Sequence, residues 1–381
     1  MIKFINNLHD GGLCDMFILN CHVKRKISMN IKVLNVMLSK GKGGLETVFL
    51  AHTELFKNSG NQSVALCHEK SPYLQHLMDL NIPTYTTTAS RWNPFVWLKI
   101  IQTIKVVRPD IICLHGNRAV YFFTSRLLKL FIRPFPKLMA TTHNNRNKLF
   151  HRLDGIFVIS EPLKEGLINQ FHIPVEKIFK CPNAVPVPSQ ETKYEIHNPV
   201  RFGFCGRLEN VKGCDVLLNA CVQLKDKHLP FELIIAGDGS LAETYKQFVR
   251  DNNLSDVVKF VGWIEDKASF FNSIDVLCMP SRSEGQPLSL LEALSYKKAV
   301  IVSSCAGMVE VVNRNKAGYC FEIENTVELA EKMADLIKNP KSCYEFSKQA
   351  YQSYLDLYTP KKQEENLLRG IYTVCQKSAN K

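Results

Sequence analysis

Residues 273–312 decide the fold class, and they read SIDVLCMPSRSEGQPLSLLEALSYKKAVIVSSCAGMVEVV. A short apolar run at 275–279 is followed by a polar loop, which is typical of a buried strand. Pro287 stands where a helix tolerates proline as its first residue, and leucines follow it at helical spacing. A second apolar run, Ala299–Ser303, completes strand, loop, helix and strand. This order predicts a parallel βαβ unit in an α/β protein, with ligand-binding loops at the carboxyl ends of its strands.

Two acids flank the start of the predicted helix. Glu284 ends the polar loop, and Glu292 follows in the second helical turn. Unpaired backbone N–H groups at a helix N-terminus hold anions, whereas a carboxylate accepts hydrogen bonds from hydroxyl groups. An anion site beside hydroxyl-binding acids suggests a sugar nucleotide as ligand. The alternative is a capping acid and a surface acid on an amphipathic helix.

This Glu-x7-Glu stretch resembles the signature of the retaining glycosyltransferases of family 4. The resemblance implies that Glu284 lies by the donor sugar as a catalytic residue and that Glu292 binds the nucleotide ribose. It also places Gly285 and Leu288 at the donor diphosphate. The fold it implies is GT-B, in which two Rossmann-like domains face each other across a cleft.

A glycine loop follows the first predicted strand, at residues 31–38, and contains Gly43 and Gly44. Glycines there let the backbone approach a ligand closely, but the loop lacks the Gly-Lys-Ser/Thr of a Walker loop and is weak on its own. His115 stands at the end of another strand, although a lone histidine is more often structural. The resemblance implies that Gly43 and Gly44 face the donor diphosphate and that His115 is a second catalytic residue.

A second histidine, His143, follows the predicted strand at 138–142 and is itself followed by Asn144. This segment resembles the acceptor-side or phosphate-side segment of the family. We therefore expect His143 and Asn144 on the acceptor side, ranked below His115.

Two cations lie in a loop of the second half of the chain. Arg207 and Lys212 are spaced between glycines after the strand Val200–Cys205. A guanidinium can fork onto a phosphate and an ammonium adds a point charge, although both could be ordinary surface cations. The resemblance assigns both to the donor diphosphate. Because no Asp-x-Asp metal motif occurs in a suitable loop, we expect neither a metal nor a cofactor, the nucleotide sugar being a substrate.

The net charge of +12 is unevenly distributed along the chain. Residues 29–190 hold 20 Lys and Arg against 9 Asp and Glu, whereas residues 191–381 hold 24 against 25. The basic first half is expected to face an anionic partner. No nucleic-acid motif occurs, so an anionic membrane surface is favoured over nucleic acid, with the basic, aromatic stretch 118–137 as its contact. Residues 120–132 of this stretch are predicted to form one helix, and the alternative is that its basic face is merely solvated.

The 13 cysteines include no Cys-x-x-Cys pair, and no apolar run approaches the ~18–20 residues that cross a bilayer. These features favour a cytoplasmic protein with reduced cysteines, peripheral on the inner face of the plasma membrane if it binds lipid.

The length of 381 residues suggests two domains. Residues 1–28 fit no element and are expected to lie outside the catalytic fold, since the first clean strand follows Met29. A Pro-rich linker then separates an acceptor domain, 29–190, from a donor domain, 191–360. The resemblance implies that the last helix, within 361–381, crosses back to the first domain.

The function implied is a retaining, metal-independent hexosyl transfer from a nucleotide-diphosphate sugar to a hydroxyl of a lipid-linked, lipopolysaccharide or capsule-type glycan acceptor. Two alternatives remain open at this point. One is a sugar-nucleotide epimerase or hydrolase of the same fold, and the other is a non-catalytic nucleotide-sugar binding protein.

Overall fold

A computed structural model describes residues 30–41, 43–90, 92–143, 148–189, 192 and 196–376. The predictions made for residues 1–28 and for Asn144 lie outside these residues.

Seven strands form the sheet of the first half, which we call the first sheet. They are β1 (Lys32–Met37), β2 (Gln62–His68), β3 (Thr84–Thr87), β4 (Ile111–His115), β5 (Lys137–Thr142), β6 (Gly155–Val158) and β7 (Ile178–Lys180). Their order is β3-β2-β1-β4-β5-β6-β7, and every neighbouring pair is parallel. Strands β4 and β6 are buried along their whole length, as apolar runs covered by helices on both faces must be.

The helices of this half are α1 (Gly44–Asn58), α2 (Leu74–Asp79), α3 (Pro94–Val107), α4 (Gly116–Phe123), α5 (Arg126–Phe131) and α6 (Glu161–Phe171). Helices α3 to α6 share one apolar core, and α1 contributes to the cores of the opposite face. Asn93 caps α3, because its side chain accepts a hydrogen bond from the backbone N–H of Phe95 at 3.0 Å.

The sequence pattern predicts one helix over residues 120–132, and this prediction is wrong. The helix α4 ends at Phe123, and a separate helix α5 begins at Arg126. Ser125 accepts a hydrogen bond from the backbone N–H of Leu127 at 3.3 Å and so caps the new helix. A serine hydroxyl that caps a new helix competes with continuation of the preceding helix. The break therefore occurs at the pair Thr124-Ser125.

Six strands form the second sheet: β8 (Val200–Cys205), β9 (Phe231–Ala236), β10 (Val258–Gly262), β11 (Val276–Met279), β12 (Ala299–Ser303) and β13 (Gly318–Phe321). Their order is β10-β9-β8-β11-β12-β13, again parallel throughout. The βαβ unit predicted from residues 273–312 is therefore present as β11, a helix and β12. Two parallel sheets with flanking helices confirm the prediction of two Rossmann-like units.

Eight helices follow β8 within the described residues: α7 (Cys214–Asp226), α8 (Ala242–Asp251), α9 (Lys267–Asn272), α10 (Leu288–Ser295), α11 (Ala306–Asn315), α12 (Thr326–Lys338), α13 (Pro340–Leu357) and α14 (Pro360–Gln376). Helix α13 packs on the second sheet, whereas α14 buries Leu367, Ile371 and Val374 against the first. None of the helices described is both long and apolar enough to cross a bilayer.

Each sheet reverses its strand order once, between β1 and β4 in the first and between β8 and β11 in the second. Loops that leave the two central strands in opposite directions open a crevice at the carboxyl edge. The first reversal places the glycine loop beside His115, and the second places the Arg207 loop beside the Glu284 loop. These two crevices contain most of the predicted site residues.

Candidate functional site

The loops after β8 and β11 pack tightly against each other because of a glycine. Gly213 has φ +68°, and a Cβ there would lie 2.0 Å from the carbonyl oxygen of Pro280. A side chain at this position would meet backbone, so only glycine lets the two loops approach. This approach sets the distance between the predicted diphosphate cations and Glu284.

Lys212 and Glu284 form an ion pair at the second reversal, with Nζ donating to Oε1. The Lys212 and Glu284 side chains are only 20% and 15% exposed. A half-buried carboxylate and ammonium held together offer a substrate both a hydroxyl acceptor and a phosphate-binding charge. Arg207 lies in the same loop with its side chain exposed to solvent.

Arg282 organises these loops, and sequence reasoning missed it. Its guanidinium donates to both carboxylate oxygens of Asp215, at 3.0 and 2.7 Å. It also donates to Glu324 at 2.6 Å and to the carbonyl oxygen of Asn210 at 2.6 Å. The hydrogen bonding of Arg282 to the Asp215 carboxylate is the largest influence raising the pKa of Arg282. A bidentate pair of this kind fixes the loop that carries Lys212.

Glu292 lies on α10 and forms an ion pair with Lys267, the first residue of α9. The Glu292 side chain is largely buried, while that of Lys267 is about half exposed. Lys267 is a second residue that the motif did not reveal, because it lies 25 positions away along the chain. The pair leaves Glu292 as a carboxylate able to accept hydrogen bonds from a diol.

The segment that follows Glu284 contacts the first half of the chain. A Cβ on Gly285 would lie 3.4 Å from Cδ1 of Ile159 and 3.6 Å from the carbonyl oxygen of His143. The backbone N–H of Asn183 donates to Oε1 of Gln286 at 2.7 Å, and the Asn183 amide donates to the Gln286 carbonyl at 2.9 Å. Leu288 begins α10 and is partly buried. The predicted donor loop is thereby held against the predicted acceptor side.

A second contact between the halves involves Glu310 of α11. Its carboxylate accepts from the backbone N–H of Glu161 at 2.7 Å, at the first residue of α6, and from Nζ of Lys180. An acid at a helix N-terminus is favourable, because the helix dipole and unpaired N–H groups attract it. Glu310 therefore stabilises the observed arrangement of the two sheets.

A cavity of about 530 Å³ lies at the reversal of the first sheet. It is bounded by the end of β1, the glycine loop and the start of α4, with Lys40, His115 and Arg118 among its lining residues. Gly43 caps α1, and Gly44 is the first residue of that helix. The volume falls in the range of small-molecule sites.

His115 is buried at the edge of this cavity in a fixed tautomer. The amide of Asn35 donates to the carbonyl oxygen of Phe49 at 3.0 Å and to Oγ1 of Thr53 at 2.7 Å, so its oxygen must face the histidine. Nε2 of His115 lies 2.9 Å from that oxygen and therefore carries the proton. Nδ1 is then a bare acceptor, and it has no partner among the described residues. Burial, with His52 and His143 as lesser causes, holds the pKa of His115 well below its ordinary value.

Two further histidines surround His115. The rings of His52 and His115 meet edge to face, with centroids 5.3 Å apart. Burial, and then the charge of His143, lowers the pKa of His52 to about 3, and burial lowers the pKa of His143 to about 4. All three imidazoles are thus neutral near pH 7. His52 was missed from the sequence because it lies inside α1, where a helical histidine gives no signal.

Within the described ranges, no group of three or more His, Cys, Asp or Glu residues is arranged to hold a metal ion. The groups present at the two reversals include cations, carboxylates, a histidine acceptor and helix N-termini.

Family models match most of the chain. Residues 188–353 match the glycosyl transferases group 1 model, and residues 42–187 match the model of glycosyltransferase family 4.

Curated relatives share one quarter to one third of the aligned residues. A poly(ribitol-phosphate) alpha-N-acetylglucosaminyltransferase of Staphylococcus aureus is 24% identical over 59% of this chain and 50% of its own length. An uncharacterised glycosyltransferase of Methanocaldococcus jannaschii is 30% identical over 62% of this chain and 60% of its own length. The chain thus matches only about half to three fifths of these relatives.

Solved structures show the same fold over nearly the whole chain. A glycosyltransferase from Rickettsia africae superposes with a TM-score of 0.81 at 19% identity, covering 92% of this chain and 99% of its own. Anabaena HepE in complex with UDP superposes with a TM-score of 0.76 at 17% identity, covering 90% of this chain and 100% of its own. The apo lipopolysaccharide outer core galactosyltransferase WaaB superposes with a TM-score of 0.74 at 18% identity, covering 90% of this chain and 99% of its own. These likenesses confirm the GT-B architecture.

Proposed function

Because this chain belongs to the family 4 glycosyltransferases with the GT-B fold, we propose that it transfers a hexose from a nucleotide-diphosphate sugar to an acceptor hydroxyl with retention of configuration. The observation that carries the proposal is the ion pair between Lys212 and Glu284 at the reversal of the second sheet. It supplies a phosphate-binding charge and a sugar-binding carboxylate side by side.

The donor is held mainly by the second sheet. Arg207 and Lys212 neutralise the diphosphate, together with the backbone at Gly285 and Leu288, where α10 begins. Gly43 and Gly44 face the diphosphate from the first sheet. Glu292 accepts hydrogen bonds from the ribose hydroxyls. UDP in the complex of Anabaena HepE supports a nucleoside diphosphate as the ligand type.

The reaction needs no protein nucleophile in this proposal. The bond from the anomeric carbon to the leaving phosphate oxygen breaks while the acceptor oxygen bonds the same face of that carbon. The acceptor proton passes to the departing phosphate. Glu284 positions the sugar and stabilises positive charge that develops on it, and Nδ1 of His115 accepts from a sugar hydroxyl. Arg207 and Lys212 stabilise the leaving diphosphate, so neither a metal nor a cofactor is invoked.

The acceptor is a cell-envelope glycan or a lipid-linked sugar, with His143 on its side of the cleft. The relative named for poly(ribitol-phosphate) and the galactosyltransferase of the lipopolysaccharide outer core support this class of acceptor.

This function can be tested with a panel of nucleotide sugars, each with and without glycan acceptors. We expect one donor to raise the melting temperature and to give a product with the donor's own anomeric configuration by NMR, undiminished by EDTA. Inverted product or loss of activity with EDTA would contradict the mechanism. Complete hydrolysis or epimerisation without any acceptor would instead favour the hydrolase or epimerase alternative.

The first half also carries a surface suited to an anionic membrane. Residues 92–137 contain eight Lys and Arg but one acid, Asp110. Exposed apolar side chains lie on α3 and α5 or just before α3, including Trp92 and Phe95 at 82% and 74% exposure. Helices α3 and α5 pack into one core and hence lie on one face of the sheet. We call the following exposed residues the docking surface: Trp92, Phe95, Leu98, Lys99, Arg126, Leu127, Lys129, Leu130, Phe131, Arg133.

Exposed aromatic and aliphatic residues among cations are the composition of helices that lie in a lipid interface. We propose that the docking surface binds the cytoplasmic face of the plasma membrane, where a lipid-linked acceptor is held. Each cation near an anionic surface contributes about 1 kcal/mol, and salt screens it over roughly 8 Å.

Cosedimentation with anionic vesicles tests this docking. Reversing Arg126, Lys129 and Arg133 to Glu should weaken binding by about 3 kcal/mol or more. A matched reversal of three exposed lysines on the second half, Lys227, Lys259 and Lys338, should change it little. Equal binding by both triple variants, or no binding of the native chain at low salt, would contradict membrane docking.

A further inference from the structure

Two cations reach the cavity of the first sheet from different strand ends. Lys40 follows β1, and Arg118 lies in the first turn of α4 after β4. Both line the cavity, and both side chains are exposed to it and to solvent. Because β1 and β4 are adjacent, with Met37 in register with His115, the two cations converge on one crevice.

No acid is among the described residues that line this cavity. Glu46, in the first turn of the neighbouring helix α1, is buried and accepts a hydrogen bond from the hydroxyl of Ser39. Neither Lys40 nor Arg118 makes an ion pair with any residue that the structure describes. Within the described part of the chain their charges are therefore uncompensated, in contrast to Lys212 and Lys267 of the second sheet.

The imidazole of His68, at the end of β2, interacts electrostatically with both cations. Burial is the main cause that lowers the pKa of His68, and the charge of Lys40 is the next. Arg118 and Lys70 act in the same direction, against Glu69. Lys40 and Arg118 thus act on the same small region.

The cavity also contains one neutral acceptor. Nδ1 of His115 is unprotonated, buried and without a partner among the described residues. A bare imidazole nitrogen accepts from a hydroxyl and repels a phosphate oxygen. The crevice is therefore suited to a sugar hydroxyl at Nδ1 of His115 and to an anionic group at Lys40 and Arg118.

We propose that Lys40 and Arg118 bind a phosphate or carboxylate group of the acceptor, beside the hydroxyl of the transferred sugar that donates to Nδ1 of His115. This inference rests on the transferase function proposed above. The donor diphosphate already has Arg207 and Lys212 on the second sheet, so a separate pair of cations on the first sheet serves a second anion. The acceptor specificity of the chain is then for charged rather than neutral glycans.

Calorimetric titration of the full chain with inorganic pyrophosphate tests this proposal. The native chain should show two sites. The variant Lys40→Ala/Arg118→Ala should lose one of them, with affinity falling about tenfold or more, while Arg207→Ala/Lys212→Ala should lose the other. The matched control Lys105→Ala/Arg152→Ala, which removes an exposed lysine and arginine elsewhere on the first half, should keep both.

Retention of both sites by Lys40→Ala/Arg118→Ala would overturn the proposal. Retention of both by Arg207→Ala/Lys212→Ala would instead refute the donor assignment and leave the cavity site standing. The charge-preserving variant Lys40→Arg/Arg118→Lys should retain binding, which separates lost charge from lost folding.

Two further experiments identify the anion and the molecule that carries it. Competition by inorganic phosphate or by glucuronate at the cavity site distinguishes an acceptor phosphate from a sugar carboxylate, and displacement by neither would overturn the proposal. Acceptor-free donor hydrolysis should keep its KM in Lys40→Ala/Arg118→Ala. A raised donor KM would place the anion on the donor and contradict an acceptor site.

Discussion

The two sheet reversals differ in how their charges are balanced. At the second sheet, Lys212 pairs with Glu284 and Lys267 pairs with Glu292. At the first sheet, Lys40 and Arg118 face a cavity with no acid among its described lining residues, beside three neutral histidines. In the second crevice, a lysine can bind phosphate while its paired glutamate accepts hydrogen bonds from hydroxyl groups. In the first crevice, the cations can instead bind an anion from outside the protein. The same fold thus offers one crevice suited to a nucleotide sugar and one suited to a charged acceptor.

The largest expected effect breaks the geometry of the second crevice only. Gly213→Ala should lower the free energy of unfolding by on the order of 2–4 kcal/mol, because φ is positive and the Cβ would meet the Pro280 carbonyl oxygen. Gly44→Ala is the matched change in the first crevice, where a Cβ would meet nothing within 4 Å. It should be neutral or stabilise by about 0.5 kcal/mol, since glycine is costly in a helix. Urea unfolding measures both, and equal destabilisation would contradict the contrast.

The next effect separates the two acids of the second crevice. Glu284→Gln removes the charge beside the reacting carbon, so kcat should fall about 100-fold with little change in nucleotide affinity. Glu292→Gln should mainly weaken nucleotide binding. The exposed acid Glu243 supplies a control, since Glu243→Gln should leave both quantities unchanged. Near-normal turnover by Glu284→Gln would refute its role at the sugar.

A smaller effect concerns the histidines of the first half. The pKa values of His52 and His143 are lowered from 6.5 to about 3 and about 4, so the unfolded chain binds more protons in that window. Stability should be complete above pH 6.5 and fall as the pH is lowered, by up to about 1.4 kcal/mol per pH unit for each histidine. Urea unfolding between pH 7 and 5 measures this slope, and His52→Phe should reduce it. A flat profile over this range would show that the imidazoles are not buried in the neutral form.

Local pattern was enough to predict the strands and the positions of the site loops. The runs at Val200–Cys205 and Ala299–Ser303 are strands with the predicted bounds, because continuous apolar segments between turns fit a covered parallel sheet. Glu284, Arg207 and His115 lie at strand ends because the βα alternation places them there. The roles assigned to these residues stay predictions.

What pattern could not show depends on distant partners or on competing local bonds. Arg282 and Lys267 meet their acids only after the sheet has formed. His52 becomes a neighbour of His115 only through the packing of α1 on the sheet. The break between α4 and α5 follows from a capping serine that outweighs helical periodicity.

The measurement that tests the central contrast most directly is the affinity for the nucleoside diphosphate selected by the donor panel, determined by calorimetry. We predict that Arg207→Ala/Lys212→Ala weakens this affinity at least about tenfold, the scale of lost charge-assisted contacts, and that Lys40→Ala/Arg118→Ala changes it less than about twofold. If the second variant lost as much affinity as the first, the two crevices would bind one ligand together, and the division into donor and acceptor sites would be wrong.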